Sequence, residues 1–186
     1  MALNIPGIAS VKTALMQSFA VGFIWLVFYQ FSTWAFAYFE YNPRVSWVFL
    51  PAGIRMIAVF VFGWNGVLGL LVGSVITNEN EIDESVIGLS FISALAPMLA
   101  LTICRWSFDI PKSLIGLTGL QLLVFALTGA FANAFLSQIF LHSNEAGLLA
   151  NYFLPMFVGD ILGTLIIFYL IAKLLECLST KHNANE

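Results

Sequence analysis

Long apolar stretches separated by short polar ones dominate the sequence. The first stretch, residues 15–39, contains no Asp, Glu, Lys or Arg, and it exceeds the roughly 20 apolar residues that a helix needs to span a bilayer. Only 9% of the chain is charged, and its mean hydropathy is +0.94. A soluble fold of this size leaves too much surface wet to hide such a composition. The chain is therefore predicted to be an all-α, polytopic membrane protein.

Charged and turn-forming residues divide the chain into six apolar segments, which we interpret as one transmembrane domain covering residues 1–186. The third segment is short, so we expect it to be tilted or only partly across the bilayer. The first is too long for a signal peptide and is expected to be retained. The tail, 179–186, is predicted to be mobile. The six predicted spans are 15–39, 47–63, 64–78, 86–104, 118–141 and 152–175.

The distribution of Lys and Arg predicts the orientation. An even number of spans places both termini on one side of the membrane. With the termini in the cytoplasm, five basic residues lie inside and one lies outside, as the positive-inside rule favours. The acidic loop 78–85 then faces outward. The inside residues are Lys12, Arg105, Lys112, Lys173 and Lys181, and the outside residue is Arg44.

Several classes of function lack their sequence signals. The chain has no basic stripe for nucleic acid, and no nucleophile elbow or phosphate-binding loop. His142 and His182 lie in polar segments without metal-ligand spacing. Cys104 and Cys177 end two apolar runs on the predicted cytoplasmic side, which argues against a disulfide. We therefore expect a protein that is not an enzyme and holds no metal, and the sequence leaves any cofactor unknown.

Two ionisable residues lie deep inside predicted spans. Arg55 follows Trp47, the outer start of its run, by eight positions, and Asp160 follows Tyr152 by the same number. At 1.5 Å per residue, both lie about 12 Å from the outer end of a helix. A lone charge at mid-bilayer costs at least about 2.5–3.5 kcal/mol. Opposite charges at equal depth therefore predict an ion pair or a short bridged network.

Other polar residues extend this layer. Asn133 lies at a similar depth in the fifth segment, Gln138 lies nearer the outer surface, and Thr164 lies one helical turn inward from Asp160. With Arg55, they are predicted to line a cavity that opens outward. Intramembrane charges often mark functional sites, but a polar clamp that only fixes helix register explains the same residues. Both interpretations stay open.

Prolines and small residues add further expectations. Pro51, with Gly53 close behind it, and Pro155 precede the two charges, and either a kink or local unwinding is expected beside each. Small residues four positions apart let helices approach closely in lipid. We expect these pairs either to pack within the protein or to dock another subunit. The pairs are Gly69 and Gly73, Ala126 and Ala130, and Gly159 and Gly163.

Three stretches together resemble the first family of membrane-associated sensor (MASE) domains. They are Leu-Pro-Ala-Gly-Ile-Arg at 50–55 running on to Phe-Gly-Trp at 62–64, Ala-Asn-Ala at 132–134, and Val-Gly-Asp-Ile-Leu-Gly at 158–163. The resemblance implies a sensory module of the bacterial inner membrane, with Pro51, Gly53, Asn133, Gly159, Asp160 and Gly163 at family-type positions. Such modules usually precede kinase, cyclase or phosphodiesterase domains. Because the sequence ends at Glu186, we expect a truncated, standalone version that signals to a separate protein.

Three functions remain as hypotheses. The first is a sensory or accessory subunit that binds a small ligand or partner helices at the Arg55, Asn133 and Asp160 layer. The second is the small-molecule-binding subunit of a transporter, similar to those of energy-coupling-factor systems. The third is a structural subunit of a larger membrane complex. The expected partners are membrane lipid and either another membrane protein (a kinase, cyclase or transporter) or further copies of the chain.

Overall fold

The computed structural model describes residues 8–42, 45–77, 84–108, 110–111, 117–144 and 149–183. Within these ranges the protein is almost entirely helical. A 3₁₀ turn, Ala37–Phe39, and a small antiparallel hairpin of β1 (Glu40–Asn42) and β2 (Val45–Ser46) follow the first helix. The helices are α1 (Ile8–Ala35), α2 (Pro51–Phe62), α3 (Trp64–Ile76), α4 (Glu84–Phe108), α5 (Gly119–Asn144) and α6 (Leu149–Asn183).

Among the described residues, four segments are long and apolar enough to cross a membrane, and they lie in α1, α4, α5 and α6. Helices α2 and α3 have 12 and 13 residues, which corresponds to about 18 and 20 Å at 1.5 Å per residue. Both are shorter than the roughly 30 Å hydrocarbon core. The all-helical fold is thus confirmed. The count of about six spans is not, because α2 is short as well as α3, whose shortness the sequence predicts.

A tight turn at Gly63 connects the two short helices. Gly63 has φ 54°, in the left-handed region that glycine adopts without steric cost. Its N–H bonds to the carbonyl oxygen of Val59 and closes α2, and Trp64 begins α3 directly. The turn lies at the predicted boundary between the segments 47–63 and 64–78, and α2 and α3 form a helical hairpin that enters and leaves from the same end of the bundle.

Helix α2 occupies the centre of the bundle. It contacts each of the other five helices, and eight of its 12 residues are buried. Val59 is fully buried, and Met56 and Phe60 are almost so. Most of the circumference of this helix is buried, which explains why it is apolar apart from one residue. That residue is Arg55, and the position of α2 places it in the interior.

Helices α1 and α3 pack closely because glycines lie between them. A methyl group on Gly69 would meet the carbonyl oxygen of Ser18, and one on Gly73 would meet the ring of Trp25 at 2.8 Å. Gly22 of α1 faces the carbonyl of Gly69 in return. Small residues allow this approach of two backbones in lipid. The Gly69 and Gly73 pair therefore packs within the protein.

One expectation about an element end is wrong. The second predicted span, 47–63, is not helical at its start, since Trp47–Leu50 lies outside α2 and Pro51 is the first helical residue. Pro51 therefore starts the helix, where its missing N–H is harmless, and does not interrupt it. Helix α6 continues to Asn183, so that residues 179–183 of the tail are helical, and the mobility of the tail stays a prediction. Residues 184–186 and residues 78–83 of the acidic loop lie outside the described part.

Candidate functional site

Arg55 and Asp160 form a buried ion pair at the core of the bundle. Arg55 Nη2 donates to Asp160 Oδ1 at 2.7 Å. Arg55 is 4% exposed and Asp160 is 3% exposed. Short, charge-assisted contacts of this kind are about twice as strong as neutral hydrogen bonds. The sequence predicts this pair from matching depths alone, and the structure brings the two side chains together.

Two further side chains complete the hydrogen bonds around the pair. Asn133 Nδ2 donates to Asp160 Oδ2 at 2.7 Å, and Arg55 Nη1 donates to Ser93 Oγ at 2.9 Å. The four residues come from α2, α4, α5 and α6. A buried charge is tolerated only when paired and hydrogen-bonded. The network therefore ties four helices to one point, and it includes Asn133 as the sequence predicts.

Aromatic rings cover the cationic side of the pair. The Arg55 guanidinium carbon lies 5.9 Å from the ring centroid of Trp25 and 5.5 Å from that of Phe49. These distances are within the range of cation–π attraction, which is stronger where water is excluded. Trp25 and Phe49 also meet edge to face, with centroids 6.0 Å apart. The rings thereby hold the guanidinium in position beside Asp160.

An extended segment before α2 builds one wall of this site. Phe49 N–H donates to the carbonyl oxygen of Gly159 at 3.1 Å, and Leu50 N–H donates to Ser32 Oγ at 3.3 Å. Side chains at Gly159 and Gly163 would strike the backbone of Ser46 and Phe49. This glycine pair, predicted to pack against a helix, therefore accommodates the end of β2 and the non-helical segment before α2. Non-helical backbone at this depth is tolerated because it is buried in protein.

A cavity of about 180 Å³ lies above the ion pair. Its lining changes from the exposed Thr33, Ala37 and Glu40 at one end to the buried Arg55 and Asp160 at the other. The mouth is therefore at the end of the bundle where α1 ends and α4 begins. Aromatic lining residues are Trp25, Tyr29, Phe36 and Phe49, and the serines and threonines are Ser32, Thr33, Ser46, Ser74, Thr77, Ser90, Ser93 and Ser137.

A second, much smaller cavity lies on the opposite side of the pair. It measures about 10 Å³, and Arg55, Asn133 and Asp160 line it as well as the larger one. Thr164 and Pro97 contribute to its walls. This volume is close to the minimum for one water molecule. The ion pair and Asn133 thus form the floor of the larger cavity and one wall of the smaller.

The remaining predicted site residues lie away from the large cavity. Gly53 contacts the side chain of Ile167, and Pro51 is fully buried at the start of α2. Gln138 is 4% exposed, does not line either cavity, and neither end of its amide has a partner among the described residues. Ala126 and Ala130 are buried in α5, and Ala130 lines the small cavity.

Sequence reasoning missed the wall that α1 contributes. Trp25, Tyr29 and Ser32 of α1, followed by Phe36 directly after the helix, recur at intervals of three or four and line one face of the cavity. Their spacing is the signal that reveals a helix face. Trp25 is almost fully buried, whereas Trp34 is 78% exposed near the helix end, a typical place for an interfacial ring. The two tryptophans within the first apolar run therefore have different roles.

The described residues contain no cluster of metal ligands, and their two cysteines are not joined by a disulfide. No group of three or more His, Cys, Asp or Glu lies close enough there to hold a metal ion. Cys104 is buried, Cys177 is exposed, and both are free thiols. The side chains of His142 and His182 are not among those that the structure describes.

No protein-family model, curated protein or solved structure matches the chain.

Proposed function

We propose that this chain is a non-enzymatic membrane protein that binds a small molecule in the cavity above Arg55, Asp160 and Asn133. The observation that carries the proposal is the cavity of about 180 Å³ that leads from exposed Glu40 to the buried ion pair. A clamp that only fixed helix register would need no such access. Concave, largely apolar sites with a few converging polar groups are typical of ligand pockets.

The proposed topology places the cavity mouth outside a bacterial inner membrane and both termini in the cytoplasm. Among the described side chains, Glu40 and Glu84 lie at the mouth end. Lys12, Arg105 and Lys173 lie toward the opposite end. The positive-inside rule assigns the basic end to the cytoplasm. All six helices are then membrane-embedded, with α2 and α3 as short central segments.

The hydrogen-bond network around Arg55 and Asp160 favours a sensory function. A ligand on the floor of the cavity touches side chains from four helices at once, through Arg55, Ser93, Asn133 and Asp160. Binding can shift the relative populations of two helix arrangements if the ligand's affinity for them differs. We propose that a separate membrane protein reads this shift, as the resemblance to MASE domains implies.

Substrate capture for a transporter is the second candidate. The specific observation in its favour is the short helix α2, which begins inside the bundle next to the polar layer. Discontinuous helices beside a midplane site are a recurring feature of secondary transporters. Copurification separates the two candidates. A transporter scaffold with ATPases supports capture, and a kinase or cyclase supports sensing.

The test of ligand binding is the set of small molecules that copurify with the full chain. The cavity-filling variant Ser90→Leu is compared with Thr102→Leu, because both replace a hydroxyl on α4 but Thr102 is exposed to lipid. After purification in native-lipid nanodiscs, mass spectrometry identifies the compounds released on denaturation. We expect at least one compound to be enriched with the wild type and Thr102→Leu, and to be lost with Ser90→Leu. Equal compound profiles for all three proteins overturn the proposal.

A further inference from the structure

We propose that Arg105 binds the phosphate group of an anionic phospholipid at the end of the bundle opposite the cavity mouth. Arg105 lies in the last turn of α4, and the cavity mouth lies where α4 begins. The inference concerns a different part of the molecule from the cavity and does not depend on the ligand there. It combines a guanidinium that is fixed in place, its unused hydrogen-bond donors, the charge balance around it and an exposed apolar helix face beside it.

The packing of three helices fixes the position of the Arg105 guanidinium. Its carbon Cζ lies 5.7 Å from the ring centroid of Phe60 in α2. Phe60 in turn packs against Phe125 of α5, with ring centroids 6.1 Å apart, and both rings are buried. A cation over the face of an aromatic ring is attracted to it. Arg105 therefore presents a charged group with a defined position, unlike the fully exposed side chain of Lys12 at the same end of the bundle.

The hydrogen-bond donors of Arg105 are unused by the protein. Within the described ranges of the chain, Arg105 forms neither an ion pair nor a hydrogen bond. Its side chain is only partly exposed, and Nε is buried. Nη1 and Nη2 are not buried, so an anion outside the bundle reaches this edge of the guanidinium. The two Nη atoms of a guanidinium match two oxygen atoms of a phosphate group.

The charges around Arg105 favour an anionic head group. The described charged side chains at this end of the bundle are Lys12, Arg105, Lys173 and Glu176. Lys173 and Glu176 pair with each other at 2.8 Å, which leaves two uncompensated cations in this set. Basic groups at a bilayer surface attract anionic lipids. A zwitterionic lipid would bring its own cation toward Arg105 and would gain less from the contact.

An exposed apolar face of α4 provides a surface for the acyl chains of the same lipid. Leu95, Leu99 and Ile103 are exposed and follow one another at intervals of four residues, so they lie on one side of the helix. Trp106, next to Arg105 in the chain, is 88% exposed, and such amphipathic rings favour the level of the head groups. The phosphate of a lipid on this face therefore lies at the level of Arg105. This is why we assign the anion to a phospholipid rather than to free phosphate.

The test is native mass spectrometry of the full chain released from nanodiscs that contain equal amounts of phosphatidylglycerol and phosphatidylcholine. The two lipids share a phosphodiester and differ in the net charge of the head group. We expect the wild type to retain phosphatidylglycerol over phosphatidylcholine by at least about tenfold, as for one hydrogen bond to a charged group. Arg105→Gln is expected to retain the two lipids about equally. Lys12→Gln removes the same charge from the same end and is expected to keep the wild-type ratio.

Several results would overturn the proposal. Equal retention of the two lipids by the wild type would do so, and this measurement stays valid if Arg105→Gln fails to fold. An unchanged ratio in Arg105→Gln, or an equal loss of selectivity in Lys12→Gln, would show that Arg105 is not the binding residue. Displacement of phosphatidylglycerol by excess inorganic phosphate would assign a free anion instead of a lipid. Arg105→Lys keeps the charge but not the paired donors, and its ratio is expected to lie between those of the wild type and Arg105→Gln.

Discussion

At the scale of single residues, the buried charges determine much of the design. Arg55 cannot lose its proton in a protein, so its charge must be compensated wherever the helix places it. Asp160, Ser93 and two aromatic rings provide that compensation. Asp160 can instead be neutralised by protonation if its partner is removed. The two members of the pair are therefore unequal in what their loss costs.

The first prediction concerns this inequality. Asp160→Asn leaves an uncompensated guanidinium, and removing one partner of a buried pair typically costs about 3–5 kcal/mol. Arg55→Met is expected to cost less, because the remaining carboxylate can take up a proton. The double variant is expected to recover about 1–3 kcal/mol relative to Asp160→Asn. Reversible unfolding of the full chain in mixed micelles measures the three free energies of unfolding.

The exposed pair of Lys173 and Glu176 supplies the control for this cycle. Its atoms are 2.8 Å apart, almost as close as those of the buried pair, but its side chains are 57% and 67% exposed. Glu176→Gln is expected to change the free energy of unfolding by less than about 0.5 kcal/mol. A double variant no more stable than Asp160→Asn would show that Arg55 and Asp160 do not act as a pair. Failure of the charge swap, Arg55→Asp with Asp160→Arg, to improve on either single change would support the same conclusion.

The sequence reveals the charged pair but not its surroundings. Depth along an apolar run is enough to match Arg55 with Asp160 and Asn133, because a charge in lipid must find a partner. Ser93 and Phe49 have no such constraint. Their roles depend on where α4 and the extended segment lie around α2, which is a tertiary result. Polar and aromatic residues of this kind are common in spans and do not stand out before the fold is known.

At the scale of elements, the extended segment before α2 is the least predictable feature. Its composition is apolar, and residues 47–63 form one uninterrupted run except for Arg55, so length alone suggests a complete span. The structure divides this run into an extended entry and a 12-residue helix. The reason lies in α6. Gly159 and Gly163 leave room there for the segment before α2, and the carbonyl oxygen of Gly159 accepts a hydrogen bond from the Phe49 N–H. The sequence of residues 47–63 alone does not indicate this contact with α6.

The second prediction tests the packing of the segment before α2 against the glycines of α6. A methyl group at Gly163 would strike the carbonyl of Phe49, whereas one at Gly119 meets nothing within 4 Å. Gly163→Ala is therefore expected to destabilise the protein by about 1–3 kcal/mol, as overpacking does. Gly119→Ala is expected to be neutral or slightly stabilising. The melting temperature of each purified variant provides the comparison. Equal melting temperatures for both variants would show that the segment before α2 does not pack on α6.

At the scale of the whole molecule, the bundle is built around a short, buried helix rather than six equivalent spans. The five other helices surround α2, and their outward faces carry large apolar side chains such as Phe19, Phe131 and Leu174. Composition and run length predict these exposed apolar faces correctly, and the length of the third run predicts the short helix α3. Run length does not reveal that α2 is also short, because the apolar segment before it counts toward the same run.

The third prediction concerns access from the mouth side. In a background without native cysteines, Leu89→Cys places a thiol in the partly exposed cavity lining near the start of α4, and Phe91→Cys places one on the 47%-exposed face of the same helix. A charged, membrane-impermeant methanethiosulfonate added outside intact cells is expected to label Leu89→Cys. It is expected to leave Phe91→Cys unmodified, because the thiolate does not form in hydrocarbon. Mass spectrometry of the purified variants measures the modification.

Two outcomes contradict this prediction. Labelling of Leu89→Cys only in inverted vesicles would place the mouth in the cytoplasm and overturn the proposed orientation. Equal labelling of both variants would show that the two positions do not differ in their access to water.

The separation of the paired charges along the chain also constrains biosynthesis. Arg55 and Asp160 are 105 positions apart, so the guanidinium leaves the ribosome well before its partner exists. A 12-residue helix that carries an unpaired cation is a poor substrate for insertion on its own. During synthesis, the α2–α3 hairpin must therefore wait at the membrane surface or within the insertion machinery until α6 emerges. The bundle can therefore be completed only after α6, its last helix, has been synthesised.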